Sequence, residues 1–585
     1  MISWLSPVPS LPEPLGPHKV GTIEWEIPIS EIPLPTPVPD PQISTLKFRI
    51  FYPTLSTATS KISEPWLPQP QRAWSQAYAS FMGASPKLSS LVASFPFFLN
   101  YTKLPATPDT PLLPRDPSSK YPVVVFSHGL GGNFNTYSAI CTSLASFGIV
   151  CVAPEHRDGS APITFIRAAD GTTTSIGYQR YPHTPTPDVL TSRNAQLRIR
   201  VWELEQLFTV LTRLNSGGQQ FSNYAARDSM TAKSDSLSWN NKLDLRPGRV
   251  TWAGHSFGAC AMVQLVKSVY YSKSTPSLEG TPYENDLDWQ PLYKPTSNFD
   301  LVCQITPGSP IALLDLWAMP LHAEQTRWLF EKPLPCYDQD PTDSGKTTPT
   351  VVAIVTAEFY RHTELLYRMR AALSPSPAEA TTTLEGRIES SNSRQEREEL
   401  TKTTALSAPP SKNSSQTSAD VDVQSDSIST SPHVSSASSP QTSSVPSRTP
   451  SPIPGPSDVP SPASSTTSVS SSFPSGPERA SRPAHPSHPK MYLVPSSAHL
   501  SQSDFGLLFP RLVRYLTKAE EPEEIIALNV RAILSMMRGT GLEPEPFKCS
   551  QSSKAAEHEK DAADEDDILT ERCKEKRFVP VPLAD

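Results

Sequence analysis

One pentapeptide of the sequence places a serine between two glycines, Gly254-His255-Ser256-Phe257-Gly258. It follows a short apolar run at residues 250–253 and precedes a stretch of helical character. Flanking glycines allow the sharp strand-to-helix turn that lifts a nucleophilic hydroxyl clear of the backbone. The N–H groups at the start of the following helix favour developing negative charge. The sequence therefore predicts Ser256 as a nucleophile, and the alternative is a tight turn with an incidental serine.

A second glycine-rich turn, Ser127-His128-Gly129-Leu130-Gly131-Gly132, follows the apolar run at 123–126. Acyl transfer needs two backbone N–H donors aimed at the oxyanion of the tetrahedral intermediate. We expect one from Phe257, the residue after the nucleophile, and the other from Leu130. Glycines with a purely conformational role are the alternative. A phosphate cradle is disfavoured because the Lys-Ser/Thr of a P-loop is absent.

The general base should be a histidine late in the chain, because hydrolases with this elbow order their triad as Ser, acid, His. Of the twelve histidines, His499 is the best placed, since it follows an apolar run at 491–494 through a short loop. His362 is its rival. The other histidines considered lie in the two motifs or in and beside a serine-rich tract, namely His128, His255, His433, His485 and His488.

The acid that orients the histidine is harder to choose. Asp315 ends the apolar run at 311–314, as an orienting carboxylate at the end of a strand should. Asp300 and Glu358 also lie at predicted strand boundaries. Position along the chain alone leaves the three acids open.

The elements around these residues alternate between strand and helix, which predicts a parallel sheet. The fold class expected is therefore α/β, an α/β-hydrolase fold with a mostly parallel sheet flanked by helices. Strands are predicted at 47–52, 123–126, 149–153, 250–253, 301–305, 350–355 and 491–494, and helices at 138–147, 188–214, 503–517 and 522–538.

Proline, at 65 of 585 residues, is concentrated outside these elements. A stretch dominated by Ser, Thr, Pro and Ala cannot bury enough apolar surface to offset its ordering entropy, so we predict a disordered insertion before the strand that leads to His499. Lengthening a loop about tenfold costs only roughly 2 kcal/mol, so the fold can carry it. The predicted segments are a Pro-rich extension (1–45), a first hydrolase part (46–373), the disordered insertion (374–487), a last hydrolase part with His499 (488–550) and a charged tail (551–585).

Charge and cysteine content exclude several classes of protein. The net charge of −7 and the lack of a basic stripe argue against nucleic-acid binding. Seven cysteines form no CxxC pair and no metal-ligand spacing, so neither a metal nor a cofactor is expected. No apolar run approaches the ~18–20 residues of a membrane span. The first residues show no basic, signal-like pattern, so a cytoplasmic protein that is peripheral at membranes is expected.

Several segments together resemble the platelet-activating-factor acetylhydrolase family, in its lipoprotein-associated and type-II intracellular forms. They run in family order over most of the chain outside the serine-rich tract. The match at 120–162 is far more specific than a bare elbow motif. The segments are FRIFYPT (48–54), KYPVVVFSHGLGGNFNTYSAICTSLASFGIVCVAPEHRDGSAP (120–162), RNAQLRIR (193–200), GHSFGA (254–259), IALLDLWAMPL (311–321) and HLSQSDF (499–505).

Carried over by position, the resemblance implies that Ser256 is the nucleophile, Asp315 the acid and His499 the base. It also implies that Leu130 and Phe257 are the oxyanion donors. The implied activity is that of a 1-alkyl-2-acetylglycerophosphocholine esterase (EC 3.1.1.47), a metal-independent phospholipase A2 for acetyl or short, oxidised sn-2 chains. Insertions at 268–300 and 322–348 depart from the family pattern and could reshape the acyl pocket.

A phospholipid substrate implies a docking patch for a membrane or lipid surface. Residues 73–100 are the candidate, and the alternative is that their aromatic side chains belong to the core. The aromatic residues considered are Trp74, Phe81, Phe95, Phe97 and Phe98.

Two other functions stay open at this point. One is a general carboxylesterase that acts on small soluble esters. The other is a non-catalytic interaction protein whose serine-rich tract binds phosphorylation-dependent partners through sites such as Ser374-Pro375, Thr449-Pro450 and Ser451-Pro452.

Overall fold

A computed structural model gives the fold and describes most of the chain outside the serine-rich tract. All described residues belong to one unit, formed by residues 1–394 and 484–585. The residues described are 9–55, 63–94, 98–218, 220–225, 237–274, 276–296, 300–339, 348–383, 488–545, 568–569 and 576–583.

A ten-stranded sheet forms the centre of this unit, with the strand order β12-β11-β10-β9-β8-β4-β5-β2-β1-β3. The six strands from β11 to β5 are mutually parallel, whereas β2 pairs antiparallel with β5, β1 with β2, and β12 with β11. A separate hairpin joins β6 to β7. The strands are β1 Lys19–Pro28, β2 Thr45–Thr54, β3 Thr107–Pro108, β4 Val123–Ser127, β5 Val150–Glu155, β6 Ile163–Arg167, β7 Thr173–Gly177, β8 Val250–His255, β9 Ile311–Leu314, β10 Val351–Thr356, β11 Lys490–Val494 and β12 Val579–Val581.

Helices connect the parallel strands and cover the sheet. Successive side chains of β4 enter two different apolar clusters, Val123 and Val125 one, Val124 and Phe126 the other. Because neighbouring residues of a strand point to opposite faces, the sheet is buried on both sides, which is the α/β-hydrolase architecture predicted. The helices are α1 Gln71–Phe81, α2 Pro86–Ser94, α3 Ser138–Ser146, α4 Pro187–Ser216, α5 Phe257–Tyr270, α6 Asp300–Gln304, α7 Glu324–Phe330, α8 Ala357–Arg361, α9 Thr363–Leu373, α10 Asp504–Leu508, α11 Pro510–Thr517 and α12 Pro522–Gly539.

The register of the parallel strands brings the predicted site residues to one edge. Ser127 of β4 lies opposite Gly254 of β8, and His255 lies opposite Leu314 of β9. The residues that follow these strands therefore meet at the carboxyl ends of the sheet, where open α/β sheets bind their ligands.

One predicted strand is wrong, and two strands were not predicted. Residues 300–304 form α6, where a strand was expected at 301–305. The Pro-rich extension contains β1, whose apolar side chains Ile23, Trp25 and Ile27 are buried. The charged tail contains β12, which extends the sheet by antiparallel pairing with β11. In both terminal segments, prolines or charges in the surroundings masked a strand that the sheet could accept.

The first residues of the predicted disordered insertion are ordered. Residues 377–383 are helical, and Thr381 is buried. The rest of the predicted insertion, residues 384–487, lies outside the described residues.

Candidate active site

Ser256 stands at the turn between β8 and α5. Its backbone has φ +55° and ψ −115°, a conformation that non-glycine residues rarely adopt. The Ser256 N–H donates to the Leu314 carbonyl at 2.9 Å, which ties the turn to β9. A Cβ at Gly258 would lie 2.0 Å from the Ser127 carbonyl oxygen, so only glycine fits there. The strained turn predicted from the motif is thus present.

His499 follows β11 and begins a short 3-10 segment, His499–Gln502. Its Nδ1 lies 2.8 Å from Oδ2 of Asp315, and a carboxylate oxygen accepts, so Nδ1–H donates. The histidine side chain is 31% exposed, whereas that of Asp315 is fully buried. The His499 side chain is therefore partly open to solvent, and its partner carboxylate is not.

Asp315 comes directly after β9 with φ +42°. Its Oδ1 accepts the Thr356 N–H and its Oδ2 accepts the Thr356 hydroxyl, both at 2.7 Å. With the bond from His499, three donors fix the plane of the carboxylate. The structure thus brings Asp315 and His499 together, although 183 residues separate them in the sequence.

The competing residues lie elsewhere or have other contacts. Asp300 is exposed at the start of α6. Glu358 lines the same cavity as Ser256, but its carboxylate accepts the backbone N–H of His499 at 2.9 Å. His362 lines that cavity too. Glu358 thus holds the backbone of His499, while Asp315 holds its ring.

The glycine-rich turn after β4 lies beside the elbow. Gly131 adopts φ +73° and donates its N–H to the Ser160 carbonyl at 2.8 Å. The Gly129 N–H donates to the Tyr137 hydroxyl. Leu130, between these two anchors, lines the cavity with Ser256.

His255 packs against His499, with ring centroids 4.3 Å apart and ring planes tilted by 37°. Its Nδ1 is 2.7 Å from the Tyr137 hydroxyl. Burial, together with the nearby His499, lowers the pKa of His255 well below its usual range. It is therefore a neutral ring that packs against His499.

Sequence reasoning missed a buried polar network behind the glycine-rich turn. His156 bonds to Glu203 at 2.7 Å and to Ser127 at 2.8 Å, and Arg200 pairs with Asp158 at 2.6 Å. The only hint in the sequence was that the His156-Arg157-Asp158 run follows a predicted strand and that charges recur in the helix at 188–214.

The histidines of this network are neutral. Burial, with Arg200 nearby, lowers the pKa of His128 to about 3. Burial lowers the pKa of His156 well below its usual range as well. Burial also raises the pKa of Glu203, the partner of His156, well above its usual range. The network therefore acts through hydrogen bonds that hold the turn in place.

The cavity above the elbow has a volume of about 460 Å³. Its wall is mainly apolar and aromatic, with four polar side chains besides Ser256. Such a combination is typical of small-molecule sites. The lining residues are Phe81, Leu130, Tyr178, His183, Ser256, Trp317, Glu358, Phe359, His362, Leu365 and His499.

Among the described residues, one group of histidine and acidic side chains is close enough to hold a metal ion. It consists of His255, Asp315 and His499, whose candidate ligand atoms lie within 4.8 Å of one another. The Asp315 carboxylate already accepts three hydrogen bonds there, so the geometry fits an oriented imidazole better than a metal cage. In the part of the chain that the structure describes, no helix combines the length and the apolar character needed to cross a membrane.

Part of the chain is similar to a known protein family. Residues 5–275 match the family model of platelet-activating factor acetylhydrolase, isoform II. This range includes Ser256, Leu130 and Phe257, and excludes Asp315 and His499.

Curated relatives agree with the family match. A Schizosaccharomyces pombe protein described as a putative phospholipase A2 is 29% identical over 278 residues, which are 44% of this chain and 60% of the relative. The platelet-activating factor acetylhydrolase of Canis lupus familiaris is 28% identical over 220 residues, 37% of this chain and 45% of the relative. The matched part therefore spans less than two thirds of the length of these relatives.

Among solved structures, a ferulic acid esterase from Streptomyces cinnamoneus aligns with a TM-score of 0.39 and 13% identity, over 94% of this chain and 97% of that one. The sequence matches, and not this structural alignment, carry the likeness to known proteins. Residues 5–275 of this chain are similar to the platelet-activating factor acetylhydrolase, isoform II, family.

Proposed function

We propose that the protein is a serine esterase that hydrolyses the sn-2 acetyl, or other short or oxidised acyl, ester of phospholipids through an acyl-enzyme on Ser256. The observation that carries the proposal is one shared cavity. Ser256 and His499 line it together, and the His499 ring is bonded to the buried Asp315 carboxylate. The relation to acetylhydrolases and to a putative phospholipase A2 supports the choice of substrate.

In the first step, Ser256 Oγ forms a bond to the ester carbonyl carbon while His499 takes the hydroxyl proton on Nε2. The carbonyl electrons move onto its oxygen. The N–H groups of Leu130 and Phe257 stabilise this oxyanion, a contribution of roughly 3–4 kcal/mol for one donor. When the intermediate collapses, the bond to the alcohol breaks, and the lysophospholipid leaves with the proton from His499.

In the second step, water attacks the acyl-enzyme carbonyl and gives its proton to His499. Collapse of the second intermediate returns that proton to Ser256 and releases the carboxylic acid. Asp315 accepts the Nδ1–H bond of His499, which leaves Nε2 as the basic nitrogen in this scheme.

The size and lining of the cavity support a short acyl chain. A volume of about 460 Å³ lies at the lower end of ligand pockets. Phe81 packs on the glycine-rich turn, since a Cβ at Gly131 would lie 2.5 Å from its ring. The Tyr178 ring meets Phe81 edge to face at 4.7 Å and closes this wall.

The decisive experiment is hydrolysis of phospholipids whose sn-2 chains run from acetyl to palmitoyl. We expect activity to fall steeply with chain length and to vanish in Ser256→Ala, while Ser80→Ala, on the exposed side of α1, stays fully active. Activity on small soluble esters alone would make the protein a general carboxylesterase. Activity on no ester would favour the non-catalytic interaction protein.

A lipid substrate requires a docking surface, and the structure revises the one predicted. Trp74 is buried in the core, Phe81 lines the cavity, and Phe95 and Phe97 lie outside the described residues. The exposed apolar side chains of the helices α1, α2 and α11 and of the turn after α1 are different residues. They are Met82, Leu88 and Leu91 at α1 and α2, with Leu512, Tyr515 and Leu516 on α11.

The rings of Phe98, which follows α2, and Phe509, which precedes α11, lie 5.6 Å apart. Met82 directly follows Phe81 of the cavity wall. Exposed apolar side chains of this kind suit contact with a lipid surface.

The double variant Leu88→Ser/Leu91→Ser tests this docking surface. We expect liposome binding to weaken about tenfold, since two apolar side chains lose their burial in lipid, while soluble-ester hydrolysis is retained. Leu287→Ser, at a fully exposed leucine, is the matched control and should change neither. Liposome binding equal to that of the wild type would reject the surface.

A further inference from the structure

The guanidinium of Arg200 lies directly behind the glycine-rich turn. It projects from α4, is fully inaccessible to solvent, and donates to the His128 carbonyl at 2.6 Å. It also donates to the Ser160 hydroxyl at 2.6 Å and pairs with Asp158. One side chain therefore joins the turn after β4 to the loop after β5.

These bonds enclose the peptide unit of Leu130. On one side, the His128 carbonyl is held by Arg200 itself. On the other side, the Gly131 N–H is held by the Ser160 carbonyl, and the Ser160 side chain is again bonded to Arg200. Leu130 thus lies between two anchors that share one guanidinium.

The same guanidinium also contacts the elbow. Its central carbon lies 4.5 Å from the centre of the Phe257 ring, within the range of a cation–π contact. Phe257 and Leu130 are the two residues whose N–H groups we assign to the oxyanion. Gly258 packs so tightly on the Ser127 and His128 carbonyls that the elbow and the turn can only move together.

We propose that Arg200 is a positioning residue of the oxyanion hole, which fixes the Leu130 and Phe257 N–H groups relative to each other. The inference rests on the proposed esterase function. Arg200 touches no substrate; it acts through the His128 carbonyl, Ser160 and the Phe257 ring. Because an oxyanion hole stabilises only the transition state, loosening it should lower kcat and leave KM nearly unchanged.

The test compares Arg200→Lys with wild type on a soluble ester. Lysine keeps the charge beside Asp158, but its ammonium donates from one nitrogen only. It therefore cannot span Asp158, the His128 carbonyl and Ser160 as the three separate nitrogens of the guanidinium do. We expect kcat to fall about 100-fold, the effect of losing one oxyanion donor, with KM changed by less than about threefold. Affinity for a trifluoromethyl ketone, which Ser256 converts to a hemiketal oxyanion, should fall in the same proportion as kcat/KM.

Arg157→Lys is the matched control. Arg157 is equally buried, pairs with Glu26 at 3.1 Å and also donates to a backbone carbonyl, that of Glu155. Its side chain makes no hydrogen bond to the glycine-rich turn. We expect this variant to lose thermal stability as Arg200→Lys does, yet to keep kcat within about threefold of wild type.

An unchanged kcat in folded Arg200→Lys, or an equal loss of kcat in Arg157→Lys, would overturn the positioning role. If Arg200→Lys fails to fold, Ser160→Ala decides, because it removes the hydroxyl between Arg200 and the turn. We then expect kcat to fall about tenfold, and an unchanged kcat would overturn the inference. Ester hydrolysis that survives Ser256→Ala would instead overturn the proposed function itself.

Discussion

The two halves of the proposed active site are built in different ways. In the nucleophile half, the elbow at Ser256 is held by glycine contacts and by backbone bonds between neighbouring strands, and only the turn at Leu130 is also held by a side chain, Arg200. The acid–base half is held by side chains throughout, since Thr356 fixes Asp315, and Asp315 and Glu358 fix His499. The elbow should therefore fail when atoms are added, and the acid–base half when polar groups are removed.

The largest effect on activity should come from the acid–base half. In Asp315→Asn, the carboxylate that accepts the Nδ1–H bond of His499 becomes an amide. The amide no longer holds His499 in the tautomer that carries its proton on Nδ1. We expect kcat to fall about 10⁴-fold with little change in stability. Steady-state kinetics would check this, with Asp300→Asn, at the exposed start of α6, as the control that keeps full activity. A loss below tenfold would show that Asp315 does not orient the base.

The nucleophile half should respond to a single added methyl group. In Gly258→Ala the new Cβ would lie 2.0 Å from the Ser127 carbonyl oxygen, so the elbow or the turn must move. We expect a loss of about 3 kcal/mol in the free energy of unfolding, together with a loss of activity. Urea denaturation would measure it. Gly177→Ala, where a Cβ meets open space, is the control, and equal stability of the two variants would contradict the steric account.

A third test concerns Lys267, a buried residue of α5, the helix that begins at the elbow. Burial lowers the pKa of Lys267 to about 7 from its ordinary value of 10.5. The unfolded chain therefore binds this proton more tightly, and folding stability is lost as the pH falls from about 10 towards 7, by up to about 1.4 kcal/mol per pH unit. Lys267→Met should remove this dependence.

Urea unfolding at both ends of this pH range would check the prediction. Lys19→Met, at an exposed lysine, should behave as wild type does. A pH dependence that persists in Lys267→Met would mean that another group is responsible.

The smallest effect should follow a change that keeps an acceptor in place. In Glu358→Gln, the amide oxygen can still accept the His499 N–H, so we expect kcat within about threefold of wild type. Glu358→Ala removes the acceptor, and a loss of about tenfold is expected from the misplaced backbone of His499. Equal activities of the two variants would show that this bond does not position His499.

The difference between the two halves also explains which site residues could be predicted from the sequence. The elbow and the glycine-rich turn were predictable because their chemistry depends on adjacent residues. The choice among Asp315, Asp300 and Glu358 needed the strand register, which depends on contacts between distant parts of the chain. The Arg200 network could not be predicted, since its members are about 40 residues apart with no characteristic spacing. β1 and β12 were missed because their role depends on a neighbouring strand and not on their own composition.

The most direct test of the central claim is to identify the acylated residue during turnover. Protein quenched while it hydrolyses a short-chain ester would be digested and its peptides examined by mass spectrometry. The account predicts the acyl group on the peptide that carries Ser256, with no such adduct in Ser256→Ala. Turnover with the acyl group on another residue, or with none trapped even when deacylation is slowed at low temperature, would contradict it.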